Sequence, residues 1–274
     1  MFIRFLSCAL LGCMLSLCAH AETIYKRIVS LAPSLTQNLY YLGKQESLVG
    51  CTSYCDASKL DGKPAVASAV KPNLEKIIAL RPDLVITSRF TSVKDVEILR
   101  KMGIRVEIFP TAHSFDEICD HFMTLARLTG AVDEATRLLD EVKQKVNQLY
   151  VANKNRGIHP RIFIQIGASP LYAVIPNTFQ DDFIRFSGGV NIAAQLKKAI
   201  VGREFVLAQK PDYIFIVTMG IVGEEEEKEW RRFTHIPATR DANVFIIDSK
   251  KACYPTPVTF LETLEIITNH IYKK

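Results

Sequence analysis

Short apolar runs alternate with amphipathic stretches along most of the chain, and the period of each run identifies its element. Lys26-Arg-Ile-Val-Ser-Leu-Ala32 reads as a buried strand that ends at Pro33-Ser34. Thr36 to Leu42 forms a short helix stopped by Gly43. Leu48-Val-Gly-Cys-Thr52 is a second strand, followed by the polar loop Ser53-Tyr-Cys-Asp56. Leu84-Val-Ile-Thr87 and Arg105-Val-Glu-Ile-Phe109 are further strands, separated by a helix from Lys94 to Met102 that Gly103 caps. Strands alternating with short helices argue a parallel α/β sheet.

The rhythm then changes. Ser114-Phe-Asp-Glu117 is a capping-box pattern that opens a helix to about Leu128. A longer helix runs from Asp133 to about Asn153, with Leu138, Val142, Val146 and Leu149 at helical spacing and Glu141, Lys143 and Lys145 on its other faces. It contains no glycine or proline and should be about 30 Å long. Such a helix is a rigid strut, which a Gly/Ser linker could not be. After Asn155-Arg-Gly157 the α/β rhythm restarts with a strand at Arg161-Ile-Phe-Ile-Gln-Ile166, which ends in Gly167-Ala-Ser169. A helix from Phe179 to Phe186, a strand at Val244-Phe-Ile-Ile-Asp248 and a closing helix from Thr259 to Tyr272 complete it. The acid run Glu224 to Glu227 reads as a solvated helix start.

One stretch occurs twice. Glu75-Lys-Ile-Ile-Ala-Leu-Arg-Pro-Asp83 and Glu204-Phe-Val-Leu-Ala-Gln-Lys-Pro-Asp212 share a glutamate, aliphatic residues, an alanine, a basic residue and Pro-Asp at one constant offset. Each copy runs into a β-rich stretch, so each reads as a short helix, a Pro-Asp stop and a buried strand. The duplication predicts two similar α/β lobes with matching surface carboxylates at Glu75 and Glu204. Residues 22–131 form the first lobe, 132–155 the bridging helix and 156–274 the second lobe.

Composition changes this picture only at the N-terminus. The chain has 274 residues, 48% hydrophobic and 23% charged, with a formal charge of +5. No basic run has the density of a nucleic-acid groove. Residues 1–21 read as a signal peptide: a basic start at Arg4, an apolar run too short to anchor permanently in a bilayer, and Ala19-His-Ala21 as a cleavage site. Leu10-Leu-Gly-Cys13 resembles a bacterial lipobox and offers a second route, with Cys13 lipidated. Both routes export the protein. Cys51, Cys55, Cys119 and Cys253 remain in the mature chain and read as scattered structural cysteines, open to disulfide formation in an oxidising compartment.

Arg27-Ile-Val-Ser-Leu-Ala-Pro-Ser34, Thr52-Ser-Tyr-Cys-Asp56, Asn73-Leu-Glu75, the two basic-Pro-Asp stops, Gly188-Gly-Val-Asn191 and Arg203-Glu204 carry a resemblance over the whole mature chain. The chain resembles the helical-backbone class of periplasmic substrate-binding proteins of ABC importers, and within it the vitamin B12 binders. The resemblance implies two lobes bridged by one long helix, a ligand held between them and little closure. It places Glu75 and Glu204 against arginines of a permease dimer that works with ATPase subunits. Tyr54 and Tyr172 match cleft aromatics of the B12 binders, and flat tyrosine faces suit a broad macrocycle. Pro33, Ser34, Ser88, Arg89, Lys198, Lys250 and Tyr254 complete the expected ligand-binding set. Those binders line the pocket with tryptophans. Here Ala69-Val70, Ser88 and Lys197-Lys198 stand in their places, the single tryptophan is Trp230, and Lys250 replaces an aspartate. The resemblance makes a corrinoid such as cobalamin the first ligand, while these smaller and more basic replacements equally favour an anionic ligand, a ferric siderophore or haem, as the alternative.

Enzymatic signatures are absent: the sequence has no Gly-x-Gly-x-x-Gly, no P-loop and no Gly-x-Ser-x-Gly. The histidines are dispersed, so no metal site, catalytic residue or resident cofactor is expected. The expected protein is a monomeric receptor in the periplasm. The mature form should begin at Glu22, which intact-mass measurement checks. A diacylglyceryl Cys13 would replace that expectation with the lipid-anchored form.

Overall fold

In the computed structural model, which describes residues 23–56, 59, 61–68, 71–219 and 222–272, the first half of the chain builds one parallel sheet. Its strands are β1 (Ile28–Ser30), β2 (Leu48–Thr52), β3 (Ala65–Ala67), β4 (Leu84–Ser88) and β5 (Arg105–Phe109), in the order β3-β2-β1-β4-β5. Alternate residues of β1 and β4 enter different cores. Ile28, Leu84 and Ile86 face one, and Val29 and Val85 the other. Burial on both faces explains why these strands read as continuous apolar runs. Helices α1 (Pro33–Tyr41), α2 (Leu74–Ala79) and α3 (Val93–Lys101) cover the sheet. Pro33, expected to end a strand, instead opens α1, where its missing N–H costs nothing. The expected leader 1–21, with Cys13, and the pair Ala69-Val70 lie outside the described residues.

The middle follows the sequence reading closely. In α4 (Phe115–Thr129) the Ser114 hydroxyl accepts from the Glu117 N–H at 3.2 Å. The Glu117 carboxylate accepts from the His113 N–H at 2.8 Å. Gly130, at φ 64°, ends the helix. The strut is α5 (Val132–Lys154), 23 residues and about 35 Å long. Val142 and Val146 are buried, with Leu138 and Leu149 half-buried.

The second sheet contains β6 (Arg161–Ile166), β7 (Tyr172–Ala173), β8 (Val190–Asn191), β9 (Tyr213–Val217) and β10 (Val244–Ile247), ordered β10-β9-β6-β7 with β8 also on β6. β9 and β10 are parallel to β6's direction, whereas β7 runs antiparallel to it. The chain reverses at Gly167, whose φ of 70° favours glycine. Helices α6 (Phe179–Phe186), α7 (Arg203–Gln209), α8 (Gly223–Arg231), α9 (Pro237–Arg240), α10 (Ser249–Ala252) and α11 (Pro257–Tyr272) complete the second lobe.

More than the strut joins the lobes. Phe115 of α4 stacks on Phe260 of α11 with ring centroids 4.5 Å apart, and Phe183 of α6 lies 4.7 Å from the same ring. Beside them the Asp182 carboxylate accepts the Phe115 N–H at 2.9 Å. The Asn153 side chain, near the end of α5, donates to the Phe186 carbonyl and to Thr268 Oγ1, each at 3.1 Å. One buried cluster thus runs from Ile28 to Ile271. Phe260→Ala removes the ring at its junction and should cost about 3–5 kcal/mol. Denaturant unfolding checks this, and a loss below about 1 kcal/mol would mean that the junction closes up without it.

Candidate functional site

The duplicated stretch is duplicated in three dimensions as well. Glu75 and Glu204 each occupy the second position of their helix, α2 and α7. Each helix ends on a basic residue held at positive φ, Arg81 at 46° and Lys210 at 48°. Non-glycine residues rarely adopt that conformation, and the surroundings account for it here. The Arg27 guanidinium donates to the carbonyls of Leu80 (2.6 Å) and Arg81 (3.1 Å). The Arg161 guanidinium donates to the Gln209 carbonyl at 2.8 and 3.0 Å. The Asp83 carboxylate accepts the backbone N–H groups of Lys26 and Arg27, and Asp212 that of Arg161. Each lobe's first strand is therefore fastened to its own copy of the motif by charge-assisted bonds. Arg27 and Arg161 escaped the sequence reading because they lie far from the repeat. Glu75 and Glu204 take no part in this frame. Both are exposed, and neither makes a hydrogen bond or ion pair among the described residues.

A cavity of about 330 Å³ opens where β1, β4 and β5 end. Pro33, Ser34 and Ser88 line it from the first lobe, and Tyr254 and Phe179 from the second. The carboxyl ends of parallel strands are where α/β sheets form ligand crevices. Tyr54 and Lys250 line a smaller adjoining pocket of about 110 Å³, which shares Pro33 and Tyr254. Arg89 is exposed at the mouth, its guanidinium 5.9 Å from the ring of Phe90, a lining residue that is 72% exposed. Tyr172, on β7, and Lys198, on an exposed loop, line neither pocket.

A profile of the periplasmic binding protein family matches residues 28–251. The chain belongs to that family. It is 33% identical over 227 residues to the vitamin B12-binding protein of Pectobacterium atrosepticum, covering 79% of each chain. Among solved structures, it matches a possible iron-binding (periplasmic solute-binding) protein from Staphylococcus epidermidis with a TM-score of 0.80 and 26% identity. That match covers 90% of this chain and 99% of that one. The periplasmic haem-binding protein of Vibrio cholerae matches with a TM-score of 0.81 at 18% identity, over 90% of this chain and 98% of that one.

In this periplasmic binding protein several expected side chains have other occupations. The Lys250 ammonium, expected at the ligand rim, pairs across the cleft with Asp56 of the first lobe. Asp56 also receives Lys59 at 2.9 Å, and the Lys250 hydrogen bond, then that of Lys59, holds its carboxyl below the usual carboxylate range. A second cross-lobe contact places His113 Nδ1 2.9 Å from the Asn177 carbonyl. Trp230 is fully buried in the second lobe, donating to Gln165 Oε1 at 2.6 Å, with the Arg203 guanidinium 4.6 Å over its ring. Arg203 is ion-paired at 2.6 Å with Glu226, which the acid run led us to expect in solvent. Glu226 is buried because Gln165 and Arg203 satisfy it there.

Of the four cysteines expected to be scattered, Cys51 and Cys55 come together. The turn from Thr52 to Cys55 sets the Cys55 thiol 3.2 Å from the hydroxyls of Thr36 and Thr52. A hydrogen bond with Cys51, then those hydroxyls, brings its pKa down to about 6 despite burial. Burial pushes the thiols of Cys119 and Cys253 up to about 12.

Asn38, Lys71, His121 and Cys253 also line the main cavity, and none was legible as a site residue. Burial holds the His121 imidazole below its ordinary 6.5, against the opposing pull of Glu117 and Asp120, and burial lowers His270 too. The unfolded chain then takes up protons near pH 6.5 that the folded chain refuses. The stability present above about pH 6.5 is therefore lost as pH falls toward the folded values. Melting temperature should drop between about pH 7.5 and pH 5.5, and less steeply in His121→Gln. An unchanged slope in that variant would place the titration elsewhere.

Proposed function

We propose that this protein is a periplasmic receptor, not an enzyme, that captures a corrinoid, cobalamin first, and delivers it to an ABC importer. The observation that carries this reading is the cavity between two lobes that each display an unengaged glutamate in the same frame. The vitamin B12-binding relative from Pectobacterium supports the ligand class. A whole corrinoid is larger than a cavity of about 330 Å³, so the macrocycle lies across the open cleft against Tyr54 and Tyr254. The protein works as a monomer, exported by cleavage after Ala21 or anchored at Cys13, with no resident cofactor. A haem or ferric-siderophore receptor is the second reading, favoured by Lys71 in the cavity lining, which would attract an anionic ligand.

Glu75 and Glu204 dock onto arginines of the permease dimer, which works with ATPase subunits. Charge-assisted pairs at such a rim set orientation and association rate more than affinity. Calorimetric titration of the purified protein with cyanocobalamin, haemin and a ferric siderophore tests the ligand, with one equivalent of cyanocobalamin expected. Transport in cells tests the docking. The Glu75→Lys/Glu204→Lys protein should bind ligand and melt as the wild type does, within about 0.5 kcal/mol, yet fail to support uptake. Normal uptake by that variant would end the docking assignment.

A further inference from the structure

Asn38 is 1% exposed, lines the main cavity from the inner side of α1, and its Oδ1 has no hydrogen-bond partner. Leaving a buried amide unsatisfied is costly, whereas an apolar side chain of similar volume at the same place is neutral or stabilising. Leucine has the same number and branching of side-chain heavy atoms as asparagine, so folding alone gives no reason for the amide. The surroundings are equally particular. Leu35, Phe109 and Phe179 supply apolar walls, burial holds the His121 imidazole below its ordinary value, and Lys71, the charged lining residue among those described, is exposed.

A mostly apolar pocket, with one exposed lysine in its lining and one unsatisfied carboxamide oxygen, selects its counterpart. A carboxylate would be desolvated there and could use only the amide N–H. An apolar group would leave Asn38 as it is. A second primary carboxamide offers both an N–H and a C=O, and so pairs with Asn38 whichever way its amide is turned. Corrinoids carry primary carboxamide arms around the ring, while haem carries carboxylates. We propose that this cavity is a carboxamide pocket, in which one amide arm of the bound corrinoid enters and pairs with Asn38. The inference rests on the corrinoid reading above and adds a specificity-determining residue to it.

The test uses cyanocobalamin and its separated monocarboxylic acids, each with one amide hydrolysed, titrated into wild type and Asn38→Leu. Wild type should bind one of the acids about tenfold or more weaker than cyanocobalamin, and the others much as it binds cyanocobalamin. Asn38→Leu should lose about tenfold for cyanocobalamin and cease to single out that acid. Its ligand-free melting temperature should stay level or rise, since an unsatisfied buried group has gone. Unchanged cyanocobalamin affinity in Asn38→Leu, or wild type that treats all the acids like the parent, overturns the pocket and leaves the receptor reading standing. A ligand-free melting temperature that falls together with affinity shows Asn38 to be holding the fold, and also overturns it. Wild type that does not bind cyanocobalamin at all removes the corrinoid reading itself and this inference with it.

Discussion

The ring of Phe260, packed between Phe115 and Phe183, is the contact on which the relation of the two lobes depends. It joins helices α4, α6 and α11, and the bond from the Phe115 N–H to Asp182 fixes their register beside it. With α5 running alongside and anchored by Asn153, the junction is a piece of continuous core and not a hinge. Cores of this kind are close-packed and resist gradual deformation. A continuous core at this junction opposes closure of the large-hinge type.

On that rigid base each lobe carries the same small frame. Arg27 with Asp83, and Arg161 with Asp212, tie the end of a short helix to the start of the central strand. The bonds are charge-assisted and hold a basic residue at positive φ immediately before proline, a conformation that would otherwise be strained. The part shared by the two copies is thus largely occupied with holding itself together. What it leaves over is the glutamate at the second helical position, exposed in both lobes.

The cleft between the frames divides into a charged edge and a neutral interior. Asp56 and Lys250 meet across one edge, where solvent and salt screen them, so the pair orients the rim more than it stabilises the fold. Inside, burial disfavours the charged form of His121 and the Asn38 amide oxygen has no partner, so the interior favours neutral hydrogen-bonding groups over charged ones.

By itself the sequence determined the strands β1, β2, β4, β5, β6, β9 and β10, the strut, the capping of α4 and the twin helices ending in Pro-Asp. Each of these rests on short-range physics, namely side-chain period, capping residues and proline stops, and can be read in a window of a few residues. It also brought Pro33, Ser34, Ser88 and Tyr254 to one cavity by way of a family resemblance. Tertiary structure alone decided the rest. The antiparallel β7 depends on a reversal at Gly167, and the burial of Trp230 and Glu226 depends on Gln165, more than sixty residues earlier. The pairing of Lys250 with Asp56 spans 194 residues, a separation at which no local pattern constrains either partner. Asn38 looked like an ordinary polar residue in a short helix. Only the packing of α1 against the strand ends and the α10–α11 loop buries it in the cavity lining with its amide oxygen unpartnered, because burial is a property of what surrounds a residue and not of its neighbours in the chain.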